Sequence, residues 1–170
     1  MSRRSDSELL LGEWACLGII CEKPAHGFAV AARLKPEADV GRVWTLSRAL
    51  TYRAIAQLEE RKLIEAVHEE PGVAGGNRVV YRATRKGRNQ YEHWLNTPVD
   101  HIRDLRSALL VKLVLAHSAQ IDVSAMLKHQ TQLVSEHLAE LPMRDDSEDD
   151  PVELWRNEMA AAALRFLKQL

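Results

Sequence analysis

The pattern of apolar and polar positions along the chain predicts three helices, then two short strands, then further helices. Apolar residues recur at helical spacing from about Asp6 to Cys21, from about Phe28 to Leu34, and through Trp44 to Ile64. The period then changes, because Leu63 to Glu69 and Arg78 to Ala83 are short and rich in β-branched and aromatic residues. Glycines and a proline separate these two segments, as in a hairpin. The pattern therefore predicts a mainly α protein with a small β-hairpin.

The first predicted helix is apolar around most of its circumference. Its apolar positions are Leu9, Leu10, Leu11, Trp14, Ala15, Leu17, Ile19 and Ile20. A helix of this kind has to be covered on more than one side. One cover is its own domain, and a partner subunit is a candidate for the other. Ser5 and Glu8 have the spacing of a capping box at its start, and Phe28 of the second helix is expected in the core.

The stretch from Trp44 to Ile64 predicts a helix with two different faces. Its apolar face consists of Leu46, Leu50, Ala54, Ile55 and Leu58. Its opposite face consists of Arg48, Ala49, Tyr52, Arg53 and Ala56. Ser47 is the predicted N-cap. Arginine and tyrosine near the start of a helix that buries its other face are typical of a recognition helix in the DNA major groove. The alternative is an ordinary amphipathic helix with a solvated outer face.

The predicted hairpin carries a cluster of positive charge. The segment from Pro71 to Tyr91 contains no acidic residue, and its basic residues are Arg78, Arg82, Arg85, Lys86 and Arg88. Three helices followed by a hairpin is the order of a winged helix-turn-helix, in which the hairpin is the wing. We expect Arg78 and Arg82, with Lys86 nearby, to contact DNA phosphates. The alternative is a surface hairpin that happens to be basic.

Three helices with wide apolar stripes follow Pro98. Their stripes include Leu105, Leu109, Leu113, Trp155, Met159 and Phe166. Such helices without evident chemistry predict a dimerisation domain. Trp155 and Met159 could instead line a ligand pocket, although packing is the more common role at this spacing. The predicted organisation is a winged helix-turn-helix DNA-binding domain over residues 1–97 and a C-terminal helical dimerisation domain over residues 98–170.

Charge refines this organisation. The chain has 170 residues and a net charge of −1. Residues 1–98 hold 15 Lys and Arg against 12 Asp and Glu, whereas residues 99–170 hold 8 against 12. A locally positive segment on a near-neutral protein indicates a defined anionic partner and not general adhesion to anions.

Several other classes of protein are disfavoured by what the sequence lacks. There is no phosphate-binding loop, nucleophile elbow or glycine-rich dinucleotide turn, so neither an enzyme nor a cofactor is expected. The seven histidines do not pair with cysteine at metal-ligand spacing, and no metal is expected. No apolar run is long enough to span a membrane, and no signal peptide is expected. Cys16 and Cys21 are expected to be reduced thiols, which fits a cytoplasmic location.

The order of elements and three segments resemble the PadR family of bacterial transcriptional regulators, particularly its longer members with a C-terminal helical domain. The segments are RALTYRAIAQLEERKLI, GNRVVYRATRKGRNQYEHWL and HIRDLRSALLVKLVLA, and the best single markers are Tyr52, Tyr81, Thr84, Gly87 and Trp94. The resemblance implies a winged-helix DNA-binding domain, a dimer built by the C-terminal helices, and repression of nearby genes. It also implies a possible phenolic or other aromatic effector, since some members release DNA on binding one.

The chain departs from the family pattern in two places. Lys62 stands where many members have glycine, which leaves the end of the helix without its left-handed glycine. Arg48 and Ala49 follow the capping serine where many short members have Pro-Gly, so no operator sequence can be carried over.

The sequence therefore predicts a sequence-specific double-stranded DNA-binding regulator, a repressor that binds a pseudo-palindromic operator as a homodimer. The expected DNA-binding residues are Ser47, Arg48, Tyr52, Arg53, Arg78, Arg82 and Lys86. The alternative is a winged-helix module that binds another protein and no DNA. A wing that binds only protein has no need for so many arginines, which favours the first hypothesis.

Overall fold

The computed structural model describes residues 9–71, 76–141 and 150–170, and within them the chain is mainly helical with one small antiparallel sheet. The predicted fold class is thus confirmed. The helices are α1 (Leu11–Glu22), α2 (Gly27–Arg33), α3 (Arg48–Glu60), α4 (Arg85–Asn96), α5 (Ile102–Asp104), α6 (Leu110–Ala119), α7 (Ser124–Glu140) and α8 (Pro151–Leu167). The strands are β1 (Ala25–His26), β2 (Ile64–Pro71) and β3 (Asn77–Ala83).

Helix α1 is the centre of the fold, and its own chain covers it. It contacts α2, α3, α4, α6 and β3. Gly18 lies against Tyr91 of α4 and Leu115 of α6, so closely that a Cβ there would come within 2.7 Å of a Leu115 methyl. The second cover, for which a partner subunit was one candidate, is provided by α6 of the same chain, which folds back onto α1. Burial also raises the pKa of Cys16 and Cys21 to about 12, so both remain free thiols.

The start of α1 differs from the prediction. The helix begins at Leu11 and not near Asp6, and the Ser5–Glu8 pair lies outside the described residues. The Leu10 backbone N–H donates instead to Glu13 Oε2 at 2.7 Å, which satisfies a donor that the first helical turn leaves free.

Helix α3 begins directly after Ser47, the predicted N-cap. The face that it buries differs from the predicted one. Its buried residues are Thr51, Ala54, Ile55 and Leu58. Leu50, predicted in the core, is 50% exposed. Thr51 takes the buried position because its hydroxyl donates to the Ser47 carbonyl oxygen at 3.0 Å and therefore needs no water.

The sheet contains one strand more than predicted. β2 and β3 form the expected antiparallel hairpin, with a bulge between Ala66 and His68, and β1 adds to the other edge of β3. Two residues are too few to show a strand period, so β1 had no sequence signal. The loose tip expected between the strands falls mostly on residues 72–75, outside the described residues.

Helix α4 is joined tightly to the turn that follows α3. The Thr84 hydroxyl accepts from the Gly87 N–H at 3.0 Å and donates to the Lys62 carbonyl at 2.9 Å. A Cβ on Gly87 would lie 2.0 Å from the Leu63 carbonyl oxygen, so only glycine permits this approach. Thr84 is also the N-cap that the sequence predicts for a helix from about Arg85 to Leu95, since a threonine hydroxyl can accept from a free backbone N–H, and this prediction is confirmed.

The C-terminal half has its own apolar cluster but also shares the first one. Val99, Leu105, Leu109, Met126, Val134 and Leu167 form the second cluster. Val111 and Leu115 of α6 belong to the first cluster, around α1. A boundary at residue 97 remains a prediction, and α6 connects the two sides of it. The π-helical segment Leu105–Leu109 lies between α5 and α6. No helix in the described ranges is long and apolar enough to cross a membrane.

Two buried polar side chains hold the segment between α4 and α5. The Gln130 amide accepts from the Val99 N–H at 2.7 Å and donates to the Val99 carbonyl at 3.1 Å. Lys112 Nζ donates to the Thr97 carbonyl oxygen. Each side chain therefore satisfies a backbone group that the turn would otherwise leave buried and unpaired.

The departure at Lys62 has a measurable consequence. Lys62 adopts a left-handed conformation with φ 58°, and the bonds Leu63 N–H to Leu58 O and Lys62 N–H to Glu59 O form a Schellman motif. Because a side chain is strained there, Lys62→Gly should raise the free energy of unfolding by about 1 kcal/mol.

Urea denaturation measures this change. Glu136→Gly, at an exposed position inside α7, is the matched control and should lower the free energy of unfolding by about 1 kcal/mol. Equal destabilisation by both glycines would contradict the left-handed conformation at Lys62.

Candidate nucleic-acid interface

The outer face of α3 presents the residues that the sequence predicted for DNA contact. Ser47 is the N-cap, and its Oγ accepts from the Leu50 N–H at 3.3 Å. Arg48, Tyr52 and Arg53 are all exposed. Within the described residues neither Arg48 nor Arg53 forms an ion pair, so both guanidinium groups are available to an anionic partner.

Arg48 is held by aromatic rings. Its guanidinium carbon lies 5.7 Å from the centroid of Tyr52 and 5.6 Å from that of Phe28. Arg78 of β3 lies 5.4 Å from the same Phe28 ring. Phe28 was expected in the core but is 45% exposed, because the side chain leaves the start of α2 toward these arginines. The structure thus brings together three of the predicted residues, Arg48, Tyr52 and Arg78, around a ring that the sequence pattern had assigned to the interior.

The other predicted wing residues have partners of their own. Arg82 Nε donates to Glu65 Oε1 at 2.7 Å, and Lys86 Nζ donates to the Arg61 carbonyl oxygen at 2.8 Å. Both arrangements lie at the surface, where such contacts add little stability. The segment from Pro71 to Tyr91 contains no acidic residue, but glutamates of the facing strand β2 reduce its positive charge. The sequence contained the information needed to predict these acidic partners, because Glu65, Glu69 and Glu70 lie in or beside the predicted first strand.

One residue outside the predicted set stabilises the loop that precedes α3. Arg33, in the last turn of α2, contacts Glu22 at 2.6 Å and Asp39 at 2.5 Å, and it also donates to Ser118 Oγ of α6 at 2.9 Å. The bond to Asp39 is the largest cause of the raised pKa of Arg33. The spacing of residues in the sequence could not have predicted these contacts of Arg33, because its partners come from three separate segments of the chain.

A pocket of about 700 Å³ lies between α1, α4 and the first turns of the C-terminal half. Trp14 and Trp94 stack on its wall, with ring centroids 5.0 Å apart and planes at 7°. Lys112 also lines it, with Nζ 4.9 Å from the Trp94 centroid. Burial lowers the pKa of Lys112 to about 8, against a smaller opposing effect of the Asp100 charge. The pocket therefore offers flat apolar walls and one poorly solvated ammonium group.

The residues predicted for dimerisation divide into three groups by exposure. Leu105 and Leu109 are buried inside their own chain, so they pack in the protomer and leave no surface for a partner. Leu113 and Met159 are partly covered. Trp155 is 65% exposed, and Phe166 is exposed as well. The predicted stripe on α8 faces outward because Ala160, Leu164 and Leu167 supply the face that packs inward.

Comparison with known proteins adds a family to this geometry. Residues 16–93 match the model of the transcriptional regulator PadR-like family. This part of the chain is therefore similar to the PadR-like family. The resemblance found in the sequence is thereby confirmed, and the match is to regulators and not to enzymes. Within the described residues, no three His, Cys, Asp or Glu side chains are grouped so as to hold a metal ion.

Solved PadR structures also resemble the whole chain. Bacillus subtilis PadR in complex with operator DNA is 16% identical, covers 92% of each chain and has a TM-score of 0.49. The p-coumaric acid complex of the same protein is 15% identical, covers 94% of this chain and 92% of that one, and has a TM-score of 0.42. A PadR-like regulator from Bacillus cereus is 19% identical, with 98% and 97% covered and a TM-score of 0.45. No curated protein matches the chain.

Proposed function

We propose that the chain is a sequence-specific, double-stranded DNA-binding transcriptional repressor that acts as a homodimer. The observation that carries this proposal is the outer face of α3. There Arg48 and Arg53 have no acidic partner among the described residues, and Arg48 shares the Phe28 ring with Arg78 of the wing. Both helix arginines lie within a segment that matches a family of transcriptional regulators. A regulator of this kind would act in the cytoplasm, where its operator is.

In this proposal α3 enters the major groove. Ala49 and Ala56 are small and exposed, so the helix can approach the base edges closely. Arg48 and Arg53 can then donate in pairs to guanine O6 and N7, which is the commonest specific contact. Arg78 lies near the tip end of the wing, opposite Glu70 of β2, and is placed for a phosphate. Arg82 and Lys86 are expected to contribute less, because contact with DNA would require them to leave Glu65 and the Arg61 carbonyl.

A winged-helix module that binds protein remains the second hypothesis, and one observation favours it. Glu65, Glu69 and Glu70 lie along β2 and reduce the positive charge of the wing. A mobility-shift assay against the upstream region of the chain's own gene separates the two hypotheses. Binding that weakens with salt supports the DNA regulator, because phosphate contacts release counterions.

The first functional prediction concerns base reading and phosphate binding. Arg48→Ala and Arg53→Ala should each weaken binding to the specific site by about 1–3 kcal/mol and relax preference at one position per half-site. Arg78→Ala should weaken binding to all sequences alike and lower the salt slope by about one unit for each phosphate that is no longer neutralised.

Fluorescence anisotropy with specific and scrambled duplexes at several salt concentrations measures both effects. Lys128→Ala, an exposed lysine of α7, is the control for removal of one charge. If both α3 variants bound with wild-type affinity, the placement of α3 in the major groove would be wrong. If Arg78→Ala had an altered base preference, Arg78 would contact bases and not only phosphates.

The dimer is proposed from the uncovered stripe on α8. Val152, Trp155, Phe166 and Leu170 are all exposed there, and a second copy could cover them. Trp155→Ser with Phe166→Ser should therefore dissociate the dimer, since truncation of buried interface aromatics commonly loses about 2 kcal/mol or more. Specific DNA affinity should fall with it, because two half-sites bound together provide most of that affinity.

Sedimentation velocity of the full chain tests this prediction. Leu154→Ser is the matched control, because Leu154 is equally an exposed apolar residue of α8 but lies outside the stripe. A monomeric wild-type chain, or a double variant that remains dimeric, would contradict an α8 interface.

We also propose that the pocket beside Trp14 and Trp94 binds an aromatic effector that releases DNA. The stacked indoles suit a planar ring, and the Lys112 ammonium suits an acidic group on it. A Trp44→Phe, Trp155→Phe background leaves these two indoles as the only tryptophan signal. Phenolic acids should quench that signal, and Lys112→Met should weaken their binding at least tenfold because their carboxylate loses its charge partner.

Two controls make the effector test specific. A neutral phenol should be nearly insensitive to Lys112→Met, and Lys128→Met should leave both ligands unaffected. If no phenolic acid quenched the two indoles or released DNA, the proposed effector class would be wrong.

A further inference from the structure

We propose that Phe28 is a positioning residue for DNA recognition, which holds Arg48 of α3 and Arg78 of β3 on one surface before DNA arrives. This inference rests on the proposed function. Its basis is the convergence of three elements on one exposed ring, with the two guanidinium carbons 5.6 Å and 5.4 Å from its centroid. We call Phe28, Arg48 and Arg78 the arginine clasp.

Within the described ranges, neither arginine of the clasp has the carboxylate partner that usually holds a surface arginine. Arg82, by contrast, has a carboxylate at 2.7 Å in Glu65. Arg78 is opposite Glu70 in the β ladder, yet Glu70 contacts His68 there and not Arg78. The aromatic ring takes the place of an acid. A ring attracts a guanidinium group without neutralising it, so the full charge remains available to a phosphate or a base.

The surroundings of the ring limit its freedom. The Tyr52 ring packs directly on Gly27, where a Cβ would lie 2.7 Å from Tyr52 Cε1. This close contact seats the start of α2 against α3, and Phe28 is the next residue. His26 accepts the Ala29 N–H at 3.0 Å and lies 6.3 Å from the Phe28 ring. The position of the ring beside Arg78 of β3 is therefore fixed, although its exposure excludes a role in the core.

Preorganisation is the expected benefit. A free arginine side chain has many rotamers, and binding DNA must select one of them. Contact with a ring selects it in the free protein, so less entropy is lost on binding. We expect Phe28→Leu, which keeps the apolar volume and removes the ring, to weaken specific binding about tenfold. Phe28→Tyr should restore most of the affinity.

A double-mutant cycle distinguishes positioning from a general loss of structure. The duplex is one that the wild-type protein selects from a random-sequence pool. Phe28→Leu should have a smaller effect in an Arg48→Ala or an Arg78→Ala background, and almost none when both arginines are replaced. In an Arg53→Ala background its effect should be unchanged, because no contact joins Arg53 to the ring within the described residues.

A readout without DNA separates this inference from the function on which it rests. In the free protein, ring currents should shift the side-chain resonances of Arg48 and Arg78. Phe28→Leu should abolish the shift of Arg78 and reduce that of Arg48, which also lies beside the Tyr52 ring, and should leave the resonances of Arg53 unchanged. Phe28→Leu binding as tightly as wild type would overturn the inference alone. A tenfold loss that persists without both arginines would also overturn it, since the ring would then contact DNA directly. A wild-type protein that selects no duplex would overturn the proposed function and this inference together.

Discussion

The burial of α1 on every side is the constraint on which the rest of the structure depends. An apolar helix of this kind needs neighbours all around, and the chain supplies them as α2, α3, α4 and α6. Gly18 allows α1 to approach Tyr91 and Leu115 closely. Because α6 completes the first core, the two halves of the chain share their packing, and neither α3 nor the pocket is independent of the other half.

Polar contacts are concentrated where elements join. Gln130 and Lys112 satisfy backbone groups of Val99 and Thr97, and Arg33 connects α1, the loop before α3 and α6. Buried polar groups are unfavourable unless they are hydrogen-bonded, so each of these contacts specifies one arrangement of its joint. The Tyr91 hydroxyl is the exception among the described residues, since it is buried without a hydrogen-bond partner, and burial raises its pKa.

The sequence predicted the helices, the hairpin, the Ser47 and Thr84 caps and the exposure of Arg48, Tyr52 and Arg53, because these follow from local periodicity and capping chemistry. It failed where tertiary contacts override a local pattern. Leu50 was predicted to be buried but is exposed, and Thr51 is buried instead because its hydroxyl is hydrogen-bonded within the helix. Phe28 was predicted in the core but is exposed beside two arginines that are 20 and 50 residues away in the sequence. Periodicity carries no information about such distant partners, nor about which glutamate faces Arg82.

Helix α4 links the C-terminal end of α3 to the pocket. Its first turn is bonded to the Lys62–Leu63 turn at the end of α3, and Trp94 near its last turn stacks on Trp14 in the pocket wall. A helix of this length is a stiff rod of about 18 Å. The Gly87 backbone packs directly against the Leu63 carbonyl, so the N-terminal end of α4 is fixed to this turn. If a ligand tilted α4 at Trp94, this stiff helix would carry the movement to the C-terminal end of α3 without a rotamer change between them.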